Sequence, residues 1–145
     1  MKKIVFIPAD AANPVMIKDL ELTLKEMQAL VSGGEGGLVE CVELSGQLRG
    51  YDLWVNEEGL LIGLPFNRRA TGLADQHIVG DAFVTGGPDE NGETLGLTDL
   101  AAKNLMKLLG SPPTQLENDL AALKRVSSIM TAGAVLKSKV RRAKR

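Results

Sequence analysis

The densest set of ligand-capable side chains in this sequence is Asn67-Arg68-Arg69-Ala70-Thr71. Two adjacent guanidinium groups can each take a phosphate or carboxylate with two hydrogen bonds. Asn67, Thr71 and the free amides of a helix start would add further donors for an anion. Two arginines at a helix start also oppose the dipole, which favours acids there, and such local conflicts often mark functional sites. The competing reading is structural: Asn67 caps the helix, one arginine pairs with Glu57, Glu58 or Asp81, and the other is solvated. Trp54, the only tryptophan, can serve as a core residue, an interface anchor or a stacking platform for a base.

Other chemistry is sparse. There is no Walker A sequence, no Gly-x-Ser-x-Gly elbow, no His-Glu-x-x-His and no Cys-x-x-Cys, so no catalytic residue is assigned and a non-enzyme is expected. His77 is the sole histidine, which argues against a multi-histidine metal site. Cys41, the sole cysteine, rules out an internal disulfide framework and reads as a small buried hydrophobe in a strand rather than a nucleophile. The glycine-rich run at 33–37 follows a helix, whereas phosphate-cradling loops follow a strand. Asp89, Asn91 and Glu93 imitate a calcium loop, but an EF-hand needs Asp or Asn at its fifth position and Gly at its sixth. Glu93 and Thr94 stand there, so an exposed hairpin loop is expected. No metal and no cofactor follow from these residues.

The net charge of −1 conceals a split. From Lys124 to Arg145 there are eight basic and no acidic residues, leaving nine basic against 18 acidic residues in 1–123. Lys137, Lys139, Arg141, Arg142, Lys144 and Arg145 are therefore candidate nucleic-acid contacts. The alternatives are a solvated helix end favoured by the C-terminal dipole, or a tail lying on the acidic body.

The elements that must position these groups can be read from pattern. Lys3–Pro8 is a β-rich run, and Ile17, Leu20 and Leu22 allow a second short strand. Thr23 and Glu26 form a capping box, followed by an apolar face of Leu24, Met27, Leu30 and Val31 and a stop at Gly33-Gly34. A strand is expected over Leu38–Leu44. Tyr51–Asn56 and Leu60–Leu64 read as a hairpin turned by Glu57-Glu58-Gly59, with alternation putting Tyr51, Leu53 and Val55 on one face and Trp54 on the other. Asn67 caps a short helix over 68–73, and Ile78–Thr85 is the next strand. Helices are expected over 98–109, burying Leu97, Ala101, Leu105 and Leu108, and over 114–137, with Leu116, Leu120, Leu123 and Met130 on one stripe. The expected class is α+β: a small mixed or antiparallel sheet of five or six strands, packed by the 24–32 helix, with two C-terminal helices. The divisions are a core at 1–96, a helical extension at 97–136, and a basic tail at 137–145. The extension would either cover the sheet or serve as an oligomerisation arm.

The stretch from Trp54 to Thr71, with Ile78-Val79-Gly80-Asp81 after it and Leu24 to Gly34 before it, resembles the domain of unknown function 3846 family over about residues 1–86. That resemblance implies a phage, plasmid or prophage setting and no assigned activity. Three functional classes follow. The first is a non-enzymatic accessory protein that binds a host protein, for example to counter host defence. The second is a binder of a nucleotide-derived anion through Arg68 and Arg69. The third is a nucleic-acid-associated protein acting through the tail. The expected setting is the cytoplasm of a bacterial host cell: no apolar run reaches about 18 residues, and Met1–Asp10 reads as a first strand rather than a signal peptide. A homo-oligomer through the C-terminal helix is a further expectation.

Overall fold

Aliphatic alternation in short runs makes strands that must bury both faces of a single sheet, since the chain has few aromatics to thicken a core. The computed structural model describes residues 1–32 and 37–110. Five strands are present among them: β1 Lys2–Ile7, β2 Met16–Leu20, β3 Val39–Glu43, β4 Tyr51–Asn56 and β5 Ala82–Gly86. They form one sheet of order β2-β1-β5-β4-β3, antiparallel at every junction. Three helices accompany it: α1 Leu24–Ser32, α2 Arg68–Ala74 and α3 Asp99–Gly110. The class is α+β, and the sheet is antiparallel rather than mixed.

Strand alternation sends side chains to two cores. On one face Ile4 and Phe83 pack with Met27 and Val31 of α1, and Phe6, Val39 and Trp54 close the edges of this cluster. On the other, Val5, Ile7, Leu53, Val55, Ala82 and Val84 pack with Ala70 of α2 and Ala102, Leu105 and Leu109 of α3. Tyr51 joins Leu53 and Val55 there, as alternation requires. Because α3 supplies three buried residues to this core, it covers the sheet, and the expected boundary at 96 falls inside the compact unit Met1–Gly110. The buried stripe of α3 is Ala102, Leu105 and Leu109, one residue on from the expected Ala101 and Leu108; Leu108 is exposed. Thr98 caps this helix, its hydroxyl accepting from the Ala101 amide at 3.1 Å.

The Thr23 hydroxyl accepts from the Glu26 amide at 3.2 Å, as a capping box needs. The Glu26 carboxylate, however, reaches past Thr23 to the Glu21 amide at 3.1 Å, because Leu22 turns into the left-handed region at φ 52°.

One expected element is absent. Leu60–Leu64 is not a strand, and β4 pairs with β3 before it and with β5 instead of with residues 60–64. After Asn56 the chain makes a tight turn: the Asn56 side chain accepts from the Glu58 amide at 2.8 Å, and Ile62 donates to the Glu58 carbonyl at 3.0 Å. Leu64 then donates to Gly59 and Gly63 to Leu60, with Gly63 at φ 72°. This is the bonding of a Schellman stop, in which the glycine takes the left-handed position. Gly59 has a packing reason as well, since a Cβ there would lie 2.7 Å from Val79 Cγ2. Likewise the strand expected from Ile78 begins only at Ala82; before it, Val79 forms an isolated bridge with Phe66 and Gly80 sits at φ 78°. The expected Gly33-Gly34 stop, the 114–137 helix with its stripe, and the basic tail lie outside the described residues.

Candidate functional site

Asn67 is extended (φ −108°, ψ 97°) and opens α2 as its cap, its Oδ1 accepting from the Ala70 amide at 3.0 Å. Its Nδ2 donates to the carbonyls of Ile7 and Gly80, both at 2.9 Å, and its own amide donates to Ile78 at 2.9 Å. The residue is fully buried. One amide side chain thus ties together the end of β1, the start of α2 and the approach to β5, with both of its N–H donors engaged.

Thr71 is equally occupied. Its hydroxyl accepts from the Ile78 amide at 2.9 Å and donates to the Ile78 carbonyl at 3.3 Å, and the residue is buried. Arg69 sends Nη2 into the β1–β2 connection, donating to Pro8 at 2.9 Å, Asn13 at 2.8 Å and Asp10 at 3.2 Å. Its partners are backbone carbonyls, not Glu57, Glu58 or Asp81. Burial, and then the neighbouring Arg68, hold its pKa below the usual guanidinium range, with Asp10 opposing. Asp81 serves the same connection by accepting from the Ala9 amide at 2.8 Å.

Three of the four polar groups singled out at 67–71 are therefore pins that hold the 8–14 connection and the 78–81 approach against α2. Arg68 differs: it is half-buried and makes no hydrogen bond or ion pair among the described residues. Among the described residues it is the one member of the set whose head group is not engaged.

Trp54 lies apart on the opposite sheet face. Its indole stacks on Phe83 with centroids 6.2 Å apart at 14°, and Nε1 donates to the Thr85 hydroxyl at 2.9 Å. The ring is half-buried in the α1-side cluster, so its position is that of a core residue with a satisfied polar handle. His77 stacks on Phe66 with centroids 5.1 Å apart. The Asp89 carboxylate accepts from the amides of Asn91 and Glu93, and Asp89 and Glu93 also pair through their backbones, which makes 89–93 the hairpin loop expected. Among the described residues no group of three or more His, Cys, Asp or Glu side chains is placed to hold a metal ion, and no helix is long and apolar enough to cross a membrane.

Two features escape the sequence reading. The first is the 57–64 turn, which presents Leu61 and Ile62 at 68% and 58% exposure. The spacing of Asn56, Gly59 and Gly63 is its signal, a cap and a glycine stop around a single turn. The second is the outer edge of β3, where Cys41 is exposed rather than buried as expected, because it lies on the terminal strand, and Asp52 of β4 is buried close to the thiol.

Fold and site define a small α+β domain with one antiparallel sheet, helices on both faces, and a polar motif spent on internal pinning. Residues 1–110 match the family described as a domain of unknown function (DUF3846), and the chain belongs to that family. The matched region runs past residue 86 to the end of α3, so it takes in both cores. No curated protein and no solved structure matches the chain.

Proposed function

We propose that this chain acts by binding another protein, and that the 57–64 turn is part of the contact. The observation that carries this reading is the pair Leu61 and Ile62, adjacent, aliphatic and largely exposed on a turn closed by four backbone hydrogen bonds. Single exposed apolar residues are ordinary. Two adjacent ones on a hydrogen-bonded turn form the kind of surface that a partner covers. In its specific form the proposal is a non-enzymatic accessory protein of a phage or other mobile element that occupies a host protein in the bacterial cytoplasm and counters host defence. The family resemblance supports that form.

The test is capture of crosslinked partners by tagged full-length chain in bacterial cells, beside a Leu61→Asp, Ile62→Asp double variant. A specific protein should be retained by the parent and lost with the variant, whose circular dichroism stays unchanged. Identical capture by both would refute the role of the turn.

Anion binding through Arg68 and Arg69 is a second reading with narrower support. Arg69, Asn67 and Thr71 are engaged inside the fold, which leaves Arg68 to recognise a nucleotide-derived ligand. Loss of ligand with Arg68→Ala alone would favour it. The nucleic-acid reading rests on the charge of the tail, and a steep salt dependence of DNA or RNA binding would support it.

A further inference from the structure

Among the described residues, β3 is the terminal strand on its side of the sheet. Leu44 donates to Tyr51 and Glu57 donates to Leu38, in register with the β3–β4 ladder. Leu38, Glu40, Val42 and Leu44 therefore turn their backbone polar groups toward β4. In an antiparallel ladder the intervening residues turn theirs away, so Val39, Cys41 and Glu43 present N–H and C=O groups along the outer edge. Cys41, at the centre, is exposed.

Natural sheets blunt open edges with charged side chains, lysine above all, with proline or bulges, or by covering them. β2, at the other edge, has Lys18 at its centre, held over the Phe6 ring at 4.6 Å. β3 carries neither lysine nor proline. Its surroundings are acidic: from Leu38 to Glu58 the chain holds Glu40, Glu43, Asp52, Glu57 and Glu58 against Arg49 alone. The Cys41 thiol senses this field. Although the residue is exposed, its pKa is pushed up to about 12, first by burial of the sulfur and then by Asp52, Glu43 and Glu40.

We propose that the outer edge of β3 receives an extended, basic segment of the partner protein, which adds to the sheet as a sixth strand. This rests on the protein-binding reading and names the chemistry of the partner. Backbone bonds to Val39, Cys41 and Glu43 supply affinity, and alternate side chains supply specificity, as in other strand additions. Lysine or arginine at alternate positions of the added strand meets Glu43, exposed on β3, with the buried Asp52 behind it on the same face of the β3–β4 pair. The bond from the Glu57 amide to Leu38 places the start of the 57–64 turn beside the start of β3.

The experiment is amide hydrogen exchange, read by NMR on the full chain, with a synthetic alternating lysine–valine peptide as probe and its glutamate–valine counterpart as control. The basic peptide should slow exchange at Val39, Cys41 and Glu43, while Val42, already facing β4, stays protected throughout. Glu43→Lys should weaken binding at least about tenfold by setting like charges together, and added salt should weaken it further. Retained protection at Val42 shows that the variant is folded. No added protection at the three outer amides, or equal protection by the acidic peptide, overturns the proposal. So does a homodimer of the free chain that Glu43→Lys dissociates, because the occupant is then a second copy. A captured partner that is lost with the Leu61 and Ile62 variant yet still binds Glu43→Lys removes the edge site and leaves the protein-binding reading standing.

Discussion

Replacing Asn67 with alanine tests whether the polar motif at 67–71 is a pin or a ligand site. The substitution removes the α2 cap, which is worth about 1 kcal/mol. It also strips the Ile7 and Gly80 carbonyls of the Nδ2 donors that now lie at 2.9 Å. A buried acceptor left without its donor costs about 1–3 kcal/mol. At about 1–2 kcal/mol for each carbonyl, the total loss is about 3–5 kcal/mol. A domain of this size holds roughly 5–15 kcal/mol, so Asn67→Ala should come close to unfolding at ambient temperature. In urea its midpoint should fall with little change in slope, the signature of lost stability rather than altered compactness. Asn67→Asp separates the two contributions. It keeps an oxygen for the Ala70 amide and a negative charge at a helix start, but sets a buried carboxylate against two carbonyls. Its folded-state pKa must rise, so the folded state binds the proton more tightly than the unfolded state. Stability of the variant should then fall as pH rises from about 4 through the raised value and recover on acidification, whereas Asn67→Ala shows no such added slope. A loss below about 1 kcal/mol for Asn67→Ala, with partner or ligand binding abolished, would refute the assignment of Asn67 as a pin.

Further outcomes follow from the same contacts. Arg69→Ala should loosen the 8–14 connection, speed its amide exchange and cost about 1–3 kcal/mol, while Arg68→Ala should change the urea midpoint by no more than about 0.5 kcal/mol. Gly63→Ala should cost about 1 kcal/mol through its left-handed φ; Gly80→Ala should cost more, because its Cβ would also meet Leu64 Cδ1 at 2.7 Å. The Cys41 thiol should alkylate slowly at pH 8, and Asp52→Asn should speed the reaction by removing the largest of the neighbouring carboxylate contributions. Burial, then Glu43, raises the Asp52 carboxyl in the fold against an opposing bond from Cys41. Its ionisation therefore costs stability as pH climbs above the ordinary value of 3.8, and Asp52→Asn should flatten that slope in urea titrations from pH 4 to 7. Trp54→Phe should cost about 1 kcal/mol for the lost bond to Thr85, read from the thermal midpoint.

Local pattern alone determined most of the elements. Thr23 and Thr98 announced helix starts because an N-cap hydroxyl needs only its own first turn to find a partner. Asn67 announced α2 for the same reason. Alternation along Tyr51–Asn56 assigned Trp54 and Val55 to opposite faces because the side-chain period of a strand does not depend on its neighbours. Residues 60–64 were misread as a strand: an aliphatic run fits either state, and the outcome turned on Gly59 against Val79 and Gly63 at φ 72°, the first of which is a tertiary contact. The site was legible as residue types and illegible as roles. Adjacent arginines look alike in sequence, yet Arg69 meets the carbonyls of Pro8, Asp10 and Asn13 about sixty positions away, and Arg68 meets none. Only the closure of the sheet, which brings the end of β1 against the start of α2, decides which of the two arginines the backbone engages.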